Sequence, residues 1–128
     1  MALGKAIGEF SLKAASFTVT PGPGSAFTIQ GNFEGPVSGE AGAGTGVGTI
    51  TVAFEPGAKS GTWSYSGLTF LNSGGSTGVT GHGTWEEIGS NKWRYRGTGK
   101  GSDGRVTAVE FDGDLATRTM AGKVYEWK

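Results

Sequence analysis

The sequence contains no cysteine, so disulfides and thiolate metal ligands are impossible. His82 is the single histidine, and no spacing among the carboxylates resembles a known metal-ligand set. Eleven basic and eleven acidic residues give a formal net charge of zero, which provides no field to attract nucleic acid or an acidic membrane. No apolar run is long enough for a signal peptide or a membrane span. We therefore expect a cytoplasmic protein with no metal, no cofactor and no nucleic-acid or membrane partner.

Helical periodicity is also nearly absent, whereas alternation of apolar and polar residues runs through most of the chain. The 26 glycines lack the three-residue period of collagen, and four Trp, three Tyr and seven Phe are too many for a disordered linker. A length of 128 residues suits one domain with one core. The sequence therefore predicts a single all-β domain over residues 1–128.

Turn signals rich in Gly, Pro, Asn and Asp divide the chain into about eight strands. The predicted strands are Glu9–Thr20, Ala26–Phe33, Val47–Phe54, Gly61–Phe70, Val79–Ile88, Lys92–Gly101, Arg105–Asp112 and Thr119–Trp127. Short connections favour sequential antiparallel hairpins, and closure of such a meander removes both of its exposed edges. We predict an up-and-down barrel, with a two-sheet β-sandwich as the alternative.

The segment Glu34–Gly46 is rich in Gly, Ser and Ala and interrupts this pattern. We expect it to be irregular, either a mobile flap over a barrel mouth or a flexible connector.

The segment Val79–Asp112 allows a prediction of strand register, because few registers keep similar side chains on one face. A three-residue loop at Gly89-Ser90-Asn91 and a turn at Ser102-Asp103-Gly104 give consistent pairs. These pairs are Trp85 with Tyr95, Glu86 with Arg94, Glu87 with Trp93, Tyr95 with Phe111, Arg96 with Glu110 and Arg94 with Asp112. The register predicts an inward aromatic face and an outward charged face that includes His82.

Four glycines share the aromatic face, with Gly83 opposite Gly97 and Gly81 opposite Gly99. Either a large side chain from across the barrel covers them, or they leave a pocket for a small ligand. The candidates for covering them are Trp63, Tyr65, Tyr125 and Trp127. The candidate ligand-binding residues are Trp63, Tyr65, Gly83, Trp85, Trp93, Tyr95, Gly97 and Phe111. A second alternating set, Gly42, Gly44, Gly46 and Gly48, allows the same two interpretations.

Glu87 is a carboxylate on the aromatic face, beside Trp93. It lies either at the barrel rim in water, or out of water with a raised pKa and able to move a proton with Tyr95 or Trp93 as its hydrogen-bonding partner. Glu87 and Tyr95 are therefore the candidate catalytic residues.

The run Gly81-His82-Gly83-Thr84-Trp85-Glu86, the later Gly97-Thr98-Gly99 and the eight-strand meander resemble small bacterial calycin-type barrels related in shape to allene oxide cyclases. That resemblance implies a closed barrel and, in the cyclases, a trimeric isomerase of an apolar fatty-acid epoxide.

Three functions remain open at this point. The first is binding of a small, mostly apolar molecule inside the barrel, and the second is an isomerase or cyclase acting on an apolar substrate there. The third is a structural barrel without ligand that forms a homo-oligomer, with Tyr125 or Trp127 in the subunit interface.

Overall fold

The computed structural model describes residues 3–40 and 42–127, and these form a closed antiparallel barrel. The strands are β1 (Leu3–Pro21), β2 (Phe27–Gly39), β3 (Gly44–Phe54), β4 (Ser60–Leu71), β5 (Ser76–Gly89), β6 (Lys92–Gly101), β7 (Val106–Asp114) and β8 (Thr119–Trp127). Each strand pairs with the next, and β1 pairs with β8 to close the barrel. The predicted up-and-down barrel is confirmed, and the sandwich alternative is wrong.

The up-and-down order places the connections alternately at the two ends of the barrel. The upper end carries the connections 40–43, 72–75 and 102–105, together with the start of β1 and the end of β8. The lower end carries the connections 22–26, 55–59, 90–91 and 115–118. No helix long and apolar enough to cross a membrane occurs in the described residues.

The register of β5, β6 and β7 is the predicted one. Trp85 pairs with Tyr95, which pairs with Phe111 on its other side. Trp85 and Phe111 are buried, whereas His82 is exposed. The β5–β6 connection differs slightly, because Gly89 pairs with Lys92 and the register shifts between Glu87 and Gly89.

The charged face lies outside and is joined by ion pairs. Arg94 donates two hydrogen bonds to Asp112, at 2.9 and 3.1 Å. Arg96 binds Glu110 at 2.7 Å and Glu86 at 3.0 Å, so Glu86 bonds diagonally to Arg96 although its direct partner in the register is Arg94. Because these groups are exposed, they specify register and solubility more than stability.

The prediction of an irregular segment over Glu34–Gly46 is wrong. β2 continues to Gly39 and β3 begins at Gly44, which leaves only residues 40–43 as a connection. The glycines allow the backbones of neighbouring strands to approach closely. A Cβ at Gly39 would lie 2.7 Å from the carbonyl oxygen of Ile7 on β1, and a Cβ at Gly35 would collide with the carbonyl oxygen of Ser11. These positions are strand residues for which a side chain has no room.

The predicted end of the seventh strand at Asp112, which took the following Gly113 and Asp114 as a turn, is also wrong, because β7 continues through Asp114 and the turn lies at 115–118. A Cβ at Gly113 would lie 3.1 Å from the ring of Tyr95. Gly113 is therefore a strand residue that makes room for an aromatic ring of the neighbouring strand.

Candidate functional site

A layer of aromatic rings crosses the middle of the barrel. Tyr95 stacks on Phe111 with ring centroids 4.7 Å apart and planes 5° apart. Trp63 meets Phe111 edge-on at 5.1 Å, and Phe10 meets Phe111 at 5.7 Å. These geometries are the offset-stacked and T-shaped arrangements that aromatic pairs prefer. The layer separates a packed lower half of the barrel from the upper half.

On the neighbouring strands β4 and β5, each of two tryptophans has a glycine as its register partner. Trp63 pairs with Gly83, and Trp85 pairs with Gly61. The indole N–H of Trp85 donates to the carbonyl oxygen of Thr62 at 3.2 Å, and a Cβ at Gly61 would lie 2.7 Å from the indole ring. Gly61 therefore leaves the room that the indole of Trp85 occupies.

Trp63 covers the glycine patch that the sequence singled out. Its indole N–H lies 3.0 Å from the carbonyl oxygen of Thr84 and 3.2 Å from that of Arg96. The far edge of the ring would be 3.4 Å from a Cβ at Gly81. The indole of Trp63 therefore covers Gly81, and cover by a side chain is one of the two outcomes expected from the sequence. The space beside Gly83 is taken by the backbone of β6, since a Cβ there would lie 2.6 Å from the Cα of Gly97.

An open cavity of about 310 Å³ lies above this layer and reaches the upper end of the barrel. Trp63 and Phe111 belong to its lower boundary, and most of its remaining side chains are apolar. The apolar side chains in the cavity wall include those of Phe10, Leu12, Val37, Tyr65, Leu71, Val79, Val109, Met120 and Val124. Two threonines, Thr69 and Thr77, face each other across β4 and β5 near the top.

Glycines make up a large part of the cavity lining. The cavity is lined by Gly8, Gly39, Gly42, Gly46, Gly78, Gly81, Gly99 and Gly101. Gly81 and Gly99 come from the predicted patch on β5 and β6, and Gly42 and Gly46 come from the second alternating set. Gly48 of that second set has a different role, because a Cβ there would collide with the hydroxyl of Tyr65.

The cavity mouth is polar. Arg105 and Glu40 both line it, and Arg105 Nη1 lies 2.9 Å from Glu40 Oε1. Lys5 Nζ lies 4.0 Å from the other oxygen of the same carboxylate. The site thus combines an apolar interior with a charged rim, the arrangement of many small-molecule sites.

The structure divides the predicted ligand-binding residues between the two halves of the barrel. Trp63, Tyr65 and Phe111 line the cavity. Gly83, Trp85, Trp93, Tyr95 and Gly97 are absent from its lining. Trp85 instead packs against Phe54 in the lower half, with ring centroids 5.6 Å apart. A ligand contact by any of these residues stays a prediction.

The candidate catalytic pair is likewise away from the cavity. Glu87 lies near the lower end, where its carboxylate forms an ion pair with Lys59, with Oε2 of Glu87 2.7 Å from Nζ of Lys59. Burial raises the pKa of Tyr95 to about 12, so its hydroxyl is neutral at physiological pH. Burial also raises the pKa of Tyr65 above its ordinary value. Neither tyrosine is therefore a base near neutral pH, and a catalytic role for Glu87 and Tyr95 stays a prediction.

The described part of the chain has no cluster of three or more His, Cys, Asp or Glu side chains able to hold a metal ion. The groups available to a ligand in the cavity are thus the ring and aliphatic surfaces, the threonine hydroxyls and the charged rim.

Comparison with known proteins identifies the fold alone. No family model matches the chain, and no curated protein matches it. One solved structure is similar, a crystal structure of a protein with unknown function from Clostridium acetobutylicum ATCC 824. The two chains share the barrel. The TM-score is 0.74 at 11% sequence identity, over 99% of this chain and 100% of the other. The resemblance to allene oxide cyclases stays a prediction, since the similar protein has no known function.

Sequence reasoning missed the rim residues Glu40 and Arg105. They are 65 positions apart and come together only when the barrel closes, so no local pattern links them. The glycines of the second alternating set were the available signal for the cavity, because two of them line it.

Proposed function

We propose that this protein binds a small, mostly apolar molecule in the upper half of the barrel. The observation that carries the proposal is the apolar cavity of about 310 Å³ above Trp63 and Phe111, open at the end where Glu40 and Arg105 lie. Ligand pockets of proteins typically have volumes of roughly 300–1,000 Å³ and mostly apolar walls. At about 30 Å³ per water molecule, the cavity has the volume of about ten water molecules. This volume suits a ligand of about ten non-hydrogen atoms.

The contrast in packing between the two halves of the barrel supports this proposal. Well-packed interiors leave few voids larger than a water molecule. The lower half of this barrel follows that rule, with Trp63 and Trp85 inserted over glycines. The upper half departs from it, because apolar side chains such as Val109, Met120 and Val124 line open volume. A barrel without ligand would gain stability from apolar side chains that fill this volume, so the open cavity favours a binding role.

The geometry supports binding more than isomerisation. The isomerase hypothesis assigned proton transfer to Glu87 and Tyr95, and neither lines the cavity. The oligomer hypothesis stays a prediction: Trp127 is 47% exposed and pairs with Leu3, which is 52% exposed. A cytoplasmic location also stays a prediction.

The test is a fluorescence titration with octanol as the probe. Because Trp63 borders the cavity, we expect a saturable change in tryptophan emission with one site per chain. Hexane-1,6-diol, which is more polar at similar size, is the control and should produce a much smaller change. Absence of a saturable response to octanol and to branched or cyclic alcohols of similar size would contradict the proposal.

A further inference from the structure

The rim of the cavity carries an ion pair between two connections that are distant in sequence. Arg105 ends the β6–β7 connection, and Glu40 begins the β2–β3 connection. Their side chains meet at 2.9 Å. Both side chains are 48% exposed, so neither is held by burial.

The ion pair spans the mouth. In the closed barrel, four strands (β3 to β6) separate these two connections on one side, and four (β7, β8, β1 and β2) separate them on the other. The two connections therefore lie on opposite sides of the upper end. A contact between them crosses the entrance through which a ligand must pass.

We propose that Arg105 binds the anionic head group of an amphipathic ligand whose apolar part occupies the cavity, and that Glu40 occupies the same guanidinium when no ligand is present. This inference rests on the proposed function. It assigns a ligand class, a short-chain carboxylate or a similar anion, and a residue that recognises its head group.

The part of the rim around Arg105 favours an anion over a cation because the two carboxylates there, those of Glu40 and Asp103, are already engaged. Glu40 faces both Arg105 and Lys5. The carboxylate of Asp103 accepts the backbone N–H of Arg105 at 2.9 Å, which shapes the turn. A cationic ligand would have to displace these partners.

The guanidinium of Arg105 has hydrogen-bond donors that Glu40 does not use. A guanidinium offers five N–H donors, and within the described residues the side-chain partner of Arg105 is Glu40, which it reaches through Nη1. A ligand carboxylate can therefore approach the remaining donors, or replace Glu40 in the paired geometry that guanidinium and carboxylate favour. Exchange of one carboxylate for another keeps the guanidinium paired throughout.

The test compares octanoate with octanol, which share an apolar chain and differ in the head group. Calorimetric titrations use the wild type, Arg105→Gln and Glu40→Gln. We expect Arg105→Gln to weaken octanoate binding about tenfold, the effect of losing a charge-assisted hydrogen bond, and to leave octanol binding unchanged. We expect Glu40→Gln to strengthen octanoate binding several-fold, because it removes the internal competitor.

Arg118→Gln is the matched control, since it removes the same charge from the connection at the lower end. It should leave the affinity for octanoate unchanged, and the melting temperature of each variant reports whether the barrel is intact. Higher salt should weaken octanoate binding to the wild type and leave octanol binding nearly unchanged.

The outcomes separate this inference from the proposed function. If neither octanol nor octanoate binds, the proposed function fails and this inference fails with it. If octanol binds and Arg105→Gln leaves octanoate binding unchanged, the inference is overturned while the proposed function stands. Tighter binding of octylamine than of octanoate also overturns it, as does weaker octanoate binding in Glu40→Gln.

Discussion

Replacement of Gly83 by alanine is expected to destabilise the barrel by about 3 kcal/mol, the upper end of the usual cost of overpacking. A Cβ at Gly83 would collide with the carbonyl oxygen of Arg96 and lie 2.6 Å from the Cα of Gly97. These atoms belong to the backbone of β6, so no flexible side chain can move aside. The substitution must push apart two strands whose carbonyls also hold the indole of Trp63.

Gly78 on the same strand is the matched control. A Cβ at Gly78 would lie 3.6 Å from Leu68 Cδ2 and 3.8 Å from the Cβ of Ser102, which are ordinary contacts. Gly78→Ala should therefore be neutral or stabilising by up to about 1 kcal/mol, because alanine restricts the unfolded chain. Urea unfolding of both variants measures the difference. Equal midpoints for Gly83→Ala and Gly78→Ala would contradict the close approach of β5 and β6.

Replacement of Thr69 by phenylalanine is expected to reduce octanol affinity at least about tenfold, since losing the burial of two methylene groups costs about 1.6 kcal/mol. Thr69 lines the cavity and is partly buried. Its partner on β3 is Gly46 and its partner on β5 is Thr77, so an aromatic ring has open space beside it. The ring would occupy the volume that the ligand needs.

Thr62→Phe provides the control, because Thr62 lies on the same strand and is exposed on the outer face. It should leave octanol affinity unchanged. The same fluorescence titration measures both variants, with melting temperatures to show that each is folded. Full retention of octanol binding by Thr69→Phe would place the ligand outside the upper cavity.

The register of β5 to β7 could be predicted because it depends on local hairpins. Arg94, Arg96 and Glu110 have to share a face opposite to Tyr95 and Phe111, and only one register satisfies both hairpins. The short turns between the strands then predict that each strand pairs with the next, and closure of the barrel follows because it removes the two exposed edges. These parts of the fold follow from side chains close together in sequence.

The segment Glu34–Gly46 could not be predicted in the same way. Glycine is common in mobile loops, and it also occurs in strands where another backbone approaches closely. The difference lies in the neighbour: Gly39 lies against Ile7 of β1, and Gly44 lies against Phe70 of β4. Neither neighbour can be identified before the barrel is assembled.

The position of the cavity has a similar explanation. The sequence placed four glycines together and included Trp63 among the side chains able to cover them. Which glycines are covered depends on the direction of the indole, and that direction follows from the carbonyl acceptors of Thr84 and Arg96. Gly83 and Gly97 are absent from the cavity lining because the backbones of β5 and β6 approach each other closely there, whereas Gly81 and Gly99 contribute to the lining.

The central claim is that a ligand binds in the upper half of the barrel, and amide chemical shifts of the ¹⁵N-labelled protein during an octanol titration test it most directly. The glycines report on both halves, because Gly46, Gly81 and Gly99 line the cavity, while Gly57 and Gly113 lie towards the lower end. We predict saturable shifts at the first three and none at the last two. No saturable shift, or shifts centred on Gly57, Gly113 and the indole of Trp93, would contradict the account.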